Sequence, residues 1–199
     1  MHYCVIVSLF SNLSRESQSK ISKLIKWNWP AAGWYKLNSD GSSLGNPGRA
    51  GGGSIIRNAD GEWVTGYARA IRNTTSVAAE LWALRDGINL CLSLNLTAVE
   101  IELDAKLVVD LLKKDRDNPN KNDVIVADCR EGLKKFPLVK IQYCFRDANK
   151  YADALARRGA LLSQDFTIFS RPLVDVALLI SLDSTGTSYN RSTSCMPTV

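Results

Sequence analysis

Apolar and polar positions change period along this chain, and the changes mark a run of elements. Residues 34 to 40 read as a strand entering a turn, and residues 41 to 53, rich in Gly, Ser, Asn and Pro, read as a loop or hairpin connection. Ser54-Ile55-Ile56-Arg57 is a strand. Asn58-Ala59-Asp60-Gly61 is a tight turn, since Asp-Gly supplies the positive φ that such turns need. Residues 62 to 70 alternate as the returning strand. Val77, Leu81, Leu84, Ile88 and Cys91 then recur at helical spacing, so residues 76 to 93 form a helix with one apolar stripe, capped from Thr74, Thr75 or Ser76. Val99, Ile101 and Leu103 alternate with Glu100, Glu102 and Asp104, a strand. Leu107, Val108, Leu111 and Leu112 form a second helix, and residues 113 to 122 a charged loop. Ile125, Cys129 and Leu133 form a third helix, ended by Gly132 and Pro137. Residues 138 to 145 form a strand, and Asn149 opens a last helix carrying Ala152, Leu155, Ala156 and Ala160.

Three leading strands joined by a hairpin imply antiparallel pairing, and the later alternation of helix and strand implies parallel crossovers. The expected fold class is α/β, a mixed five-stranded sheet with helices on both faces. The 199 residues suit one domain with tails. Residues 1–33 read as an N-terminal extension, 34–163 as the domain, and 164–199 as a C-terminal tail whose Ser/Thr-rich end is expected to be disordered. The apolar start, Tyr3 to Phe10, is too short to span a bilayer and has no Lys or Arg before it, so no membrane association is expected.

Composition adds little. A 45% hydrophobic share supports a core of normal size, and a net charge of +5 is compatible with a polyanionic partner without requiring one. The five cysteines form no CxxC pair and His2 is the single histidine, which disfavours zinc sites. An odd cysteine count with apolar neighbours favours reduced, buried thiols of an intracellular protein.

Four acids stand at element ends or leaning toward the core: Asp40 at the end of the first strand, Glu80 in the first turn of the first helix, Asp104 after the fourth strand and Asp153 in the last helix. A carboxylate facing a core is costly unless paired or bound to a cation, and neighbouring carboxylates raise one another's pKa. Mg²⁺ relieves both costs, takes oxygen ligands, and in pairs about 4 Å apart cleaves phosphodiesters without a histidine. Each acid also has a bland reading: Asp40 as a turn residue, Glu80 as a dipole partner, Asp104 as a helix cap, Asp153 as the i,i+4 partner of Arg157.

Five segments appear in order: Tyr35-Lys36-Leu37-Asn38-Ser39-Asp40-Gly41-Ser42, Gly51-Gly52-Gly53-Ser54-Ile55-Ile56-Arg57, Ala79-Glu80-Leu81-Trp82-Ala83-Leu84, Glu102-Leu103-Asp104, and Arg146-Asp147-Ala148-Asn149-Lys150-Tyr151-Ala152-Asp153-Ala154-Leu155-Ala156. Together they resemble the ribonuclease H-like domains of plants that are similar to the tail of non-LTR retrotransposon reverse transcriptases. The resemblance runs from Trp27 to about Phe169. It implies the ribonuclease H-like fold and an endoribonuclease that hydrolyses the RNA strand of RNA–DNA hybrids with two Mg²⁺ ions, Mn²⁺ able to substitute. Carried over by motif, Asp40, Glu80, Asp104 and Asp153 are the catalytic metal ligands. Asp40 would be shared by both ions, Glu80 would approach the RNA 2′-hydroxyl, and the products would carry a 5′-phosphate and a 3′-hydroxyl.

One departure concerns Tyr143, which stands where many relatives place a histidine; a phenol does not exchange protons near neutral pH as an imidazole does. Lys113, Lys114, Arg116, Lys121, Lys134 and Lys135 fall where bacterial members carry a basic protrusion, here mixed with acids, and read equally as a phosphate-binding patch or a solvated surface. Trp63 and Trp82 read as core rather than stacking platforms. The expected partner is an RNA–DNA hybrid or other nucleic acid, and the expected state a monomer. The alternative is a catalytically weak or inactive nucleic-acid-binding module derived from a retrotransposon.

Overall fold

The computed structural model describes residues 20–113 and 123–194. One compact unit spans Ile25–Tyr189. The second unit holds most of a two-stranded sheet formed by β1 (Lys20–Ile25) and β8 (Tyr189–Ser194). Strand β8 falls where the composition suggests irregular chain. The apolar start, Cys4, Cys195, and Lys114, Arg116 and Lys121 of the basic segment lie outside the described residues.

The main sheet has six strands, in the order β6-β5-β2-β3-β4-β7. Strands β2 (Tyr35–Gly45), β3 (Gly48–Arg57) and β4 (Trp63–Thr74) form the antiparallel meander. Strands β5 (Ala98–Leu103) and β6 (Leu138–Tyr143) add in parallel beside β2. The mixed α/β sheet is thus as expected, with one strand more. The extra strand, β7 (Phe166–Phe169), pairs antiparallel with β4, and Phe166 stacks on Tyr67 at 4.8 Å. Four residues are too few to show a period, so this strand was not legible in the pattern.

Residues 41–53 form the hairpin connection rather than a loop: β2 and β3 run through them in register, Gly41 opposite Gly52 and Ser42 opposite Gly51, with Gly45 at φ +115° beside the short turn. Gly51 and Gly53 serve close helix packing. A Cβ on Gly51 would lie 2.0 Å from the backbone nitrogen of Ala160, and one on Gly53 would lie 2.3 Å from that of Ala156, so helix α4 (Lys150–Leu161) rests directly on β3. The turn at Asn58–Gly61 forms as expected: Asn58 Oδ1 accepts from the backbone nitrogens of Asp60 and Glu62, and Gly61 takes φ +76°.

Helix α1 (Ser76–Ser93) is capped by Thr75, whose hydroxyl accepts from the nitrogen of Ala78. It packs Leu81, Leu84, Ile88 and Cys91 on Leu37, Ile56, Val99, Ile101 and Leu103, joined by Val108, Val109 and Leu112 of α2 (Lys106–Lys113) and Val126 and Cys129 of α3 (Asp123–Lys134). The opposite face carries α4 and α5 (Val174–Ser184), around Ile55, Tyr151, Leu155 and Val176. Cys91, Cys129 and Cys144 are free and buried, and burial pushes the first two thiols up to about 12. Among the described residues no helix is long and apolar enough to cross a membrane.

Candidate active site

Strand alternation puts Lys36, Asn38 and Asp40 on one face of β2, beside Glu100 and Glu102 of β5. The β2–β5 pairing ends at Ser39 and Leu103, so Asp40 and Asp104 both follow the last paired residues. Glu80 arrives from α1. It is the fifth residue of that helix, just past the first turn in which the sequence reading put it. Helix and strand meet here without side-chain spacing, since a Cβ on Gly41 would lie 2.1 Å from the backbone nitrogen of Glu80. In return, the Gly41 N–H donates to Glu80 Oε2 at 3.0 Å. One carboxylate oxygen from each of Asp40, Glu80 and Asp104 lies within 4.8 Å of the others.

Asp153, the fourth residue of α4, stands beside this trio. Its Oδ1 accepts from Arg146 Nη2 at 2.6 Å, and its Oδ2 accepts from Arg157 Nε at 3.1 Å. The pairing with Arg157 weighed from the sequence is therefore present. The capping role weighed for Asp104 is not: Ala105 is the residue before α2, and the Asp104 carboxylate faces Asn149 Nδ2 at 3.5 Å. An open pocket of about 320 Å³ brings together Asp40, Glu80, Asp104, Arg146 and the hydroxyls of Ser42 and Ser76.

Burial holds the Asp40 carboxyl well above the usual carboxylate range, and the neighbouring charge of Asp104 adds to it. Burial does the same at Glu80, with Asp40 and Asp104 adding and the Gly41 N–H opposing. Groups so placed take up a proton or a cation. The donor set is all oxygen, without histidine or thiolate, which fits a hard divalent ion such as Mg²⁺, Mn²⁺ or Ca²⁺. A manganese or magnesium site at Asp40, Glu80 and Asp104 would remove the like-charge penalty that these residues otherwise bear.

Sequence reasoning passed over two groups. The first is Asn149, read only as a helix start. It is fully buried, its side chain makes no cap bond, and it donates instead to the carbonyl of Ser39 and faces Asp104. The second is a charged network under the site. Lys36 meets Glu100 at 2.9 Å and Glu102 at 2.7 Å, and Asn38 donates to Glu102 at 3.0 Å. Arg57, fully buried, is sandwiched between the rings of Trp27 and Tyr151 and bonds Asp183 at 2.8 Å. Alternating charged residues on strands that are otherwise buried were the available signal. Trp63 and Trp82 are partly buried, with Trp82 between Arg69 and Arg85. Tyr143 is 39% exposed and packs edge-on against Phe145.

A mixed sheet with this strand order, covered by helices on both faces and carrying acids at the ends of two adjacent parallel strands, defines a ribonuclease H-like domain. The chain belongs to the reverse transcriptase-like family, whose model matches residues 38–159. It is 32% identical over 175 residues to a protein of Arabidopsis thaliana named "Putative ribonuclease H protein", covering 88% of this chain and 28% of that protein. It therefore spans less than a third of that relative's length. Among solved structures, the N-terminal RNase H domain of a Mycobacterium tuberculosis protein matches with a TM-score of 0.60 and 26% identity, over 64% of this chain and 93% of that one. RNase H1 of Halobacterium salinarum matches with a TM-score of 0.60 and 29% identity, over 63% of this chain and 96% of that one.

Proposed function

We propose that this domain is an endoribonuclease that hydrolyses the RNA strand of RNA–DNA hybrids with two divalent cations, Mg²⁺ or Mn²⁺. The observation that carries the reading is the convergence of Asp40, Glu80 and Asp104 within 4.8 Å. Support comes also from relatives named for ribonuclease H that share the family and fold. Asp40, Glu80, Asp104 and Asp153 would hold the ions, with Asp40 shared between them. The ions supply an activated water and charge neutralisation at the scissile phosphate. The chain supplies placement. The Gly41 N–H fixes one oxygen of Glu80, leaving the other for an ion or for the RNA 2′-hydroxyl, the group that separates RNA from DNA. Asn149 ties the Ser39 carbonyl and Asp104 to the start of α4, the helix that carries Asp153. Ser42 and Ser76 offer hydroxyls to the sugar–phosphate chain in the same pocket.

A second reading, a nucleic-acid-binding module with weak or no catalysis, is favoured by one observation: both oxygens of Asp153 are engaged by arginines. The resemblance adds that Tyr143 stands where a histidine is expected. Cleavage of a labelled RNA–DNA hybrid separates the two. The enzyme reading expects cutting that requires Mg²⁺ or Mn²⁺, stops with EDTA and is lost in Asp40→Asn. Hybrid binding without cutting would support the module instead.

A further inference from the structure

Arg146 lies in the 3-10 turn (Arg146–Ala148) just before α4 and lines the same pocket as Asp40, Glu80 and Asp104. Besides its 2.6 Å bond to Asp153 Oδ1, its Nε lies 4.0 Å from Asp104 Oδ2. Arg157, one turn along α4, occupies the other oxygen of Asp153. The two sides of the site are therefore unequal. Asp40, Glu80 and Asp104 turn oxygens toward one another, while Asp153 turns both of its oxygens to guanidinium groups. The Arg146 charge also reaches Asp40 and Glu80, where it offsets part of the effect of burial. With 62% of its side chain exposed, Arg146 can leave Asp153 without opening the core.

We propose that Arg146 is an internal counter-ion that competes with a divalent cation for Asp153. The proposal rests on the metal-dependent reading above and adds an order to it. A first cation meets three carboxylates already in place. A second is admitted at Asp153 only as Arg146 swings off Oδ1, because a guanidinium and a divalent cation brought to the same oxygen repel each other as like charges. Arg157 need not move, since it holds the far oxygen. Arg146 thus acts as a positioning residue that sets how much divalent cation the domain needs, and it steadies the carboxylates until that cation arrives.

The test uses the full chain and Mn²⁺ alone, without nucleic acid. Calorimetric titration compares wild type, Arg146→Gln, Asp153→Asn and the double variant, with Asp40→Asn as the site control. An exposed ion pair is modest in strength, so Arg146→Gln should tighten the weaker Mn²⁺ event roughly three- to fivefold. In the Asp153→Asn background the same substitution should have a clearly smaller effect, limited to the loss of the Arg146 charge near Asp40, Glu80 and Asp104. In EDTA, Arg146→Gln should melt below wild type, with the gap closing in saturating Mn²⁺. Superimposable isotherms for wild type and Arg146→Gln would overturn the proposal, as would an equal change in the Asp153→Asn background. If Asp40→Asn binds Mn²⁺ like wild type, the metal site itself is wrong and the proposal goes with it.

Discussion

Two groups of buried charge share strands β2 and β5, and they are built in opposite ways. In the lower group every charge meets a complement: Lys36 meets Glu100 and Glu102, Arg57 meets Asp183, Asn38 donates to the other oxygen of Glu102, and Gln142 donates to the same two glutamate oxygens that Lys36 meets. In the upper group, two residues further along each strand, Asp40 and Asp104 face each other and Glu80, with the exposed Arg146 at the rim. Burial alone does not mark a functional site, since Arg57 and Lys36 are more deeply buried than Asp40. Unbalanced burial is what sets the upper group apart, and the metal-dependent reading rests on it. The lower network pairs its charges, with Arg57 Nε left without a hydrogen bond, and holds the Trp27 segment and α5 against the sheet, while the upper one leaves three carboxylates facing one another.

Substitutions in the two groups should therefore read out differently. The largest effect belongs to the upper group: Asp40→Asn should lower hybrid cleavage by on the order of 10³-fold or more in a gel assay, while the fold persists. In the lower group, Arg57→Leu should cost about 3–5 kcal/mol in denaturant unfolding, because it strands Asp183 as an unpaired buried charge, and Arg57→Leu with Asp183→Leu should recover much of that. Metal affinity should be little changed in that double variant. An Arg57→Leu protein of wild-type stability would break the distinction from the structural side.

Gly41→Ala tests the joint between the groups and the helix. A methyl group there meets the backbone of Glu80, so about 1–3 kcal/mol of stability should be lost together with metal affinity. The smallest effect is on pH dependence without metal. Asp40 and Glu80 have raised pKa values in the fold, so their contribution is greatest below the ordinary carboxylate range of about 4 and declines as pH rises through the raised range. In EDTA, wild type should lose melting temperature relative to Asp40→Asn as pH rises above the ordinary carboxylate range. Parallel curves would mean that Asp40 carries no such strain.

Legibility in the sequence followed the strength of local pattern. Helix α1 and strand β5 announced themselves through long apolar periods, and the Asp-Gly turn through its chemistry. The Gly-rich residues 41–53 left loop and hairpin open, and the packing role of Gly51 and Gly53 was hidden, because a glycine that admits a helix backbone looks, in sequence, like one that permits a turn. The acids were visible one at a time. That Asp40, Glu80 and Asp104 meet depends on strand register and helix approach, which are tertiary facts. The Arg57–Asp183 pair spans 126 positions, and Asn149 read only as a helix start, with nothing local to show that its side chain reaches Ser39.

The most direct test of the central contrast is thermal unfolding of wild type, Asp40→Asn and Glu100→Gln, each in EDTA and in saturating Mn²⁺. A ligand at about 100 times its dissociation constant stabilises the native state by about 2.7 kcal/mol, or roughly 5–10 °C for a domain of this size. The expected result is a rise of that order in wild type and in Glu100→Gln, and none in Asp40→Asn. An equal rise in Asp40→Asn, or no rise in wild type, would contradict the reading of the carboxylates as a cation site.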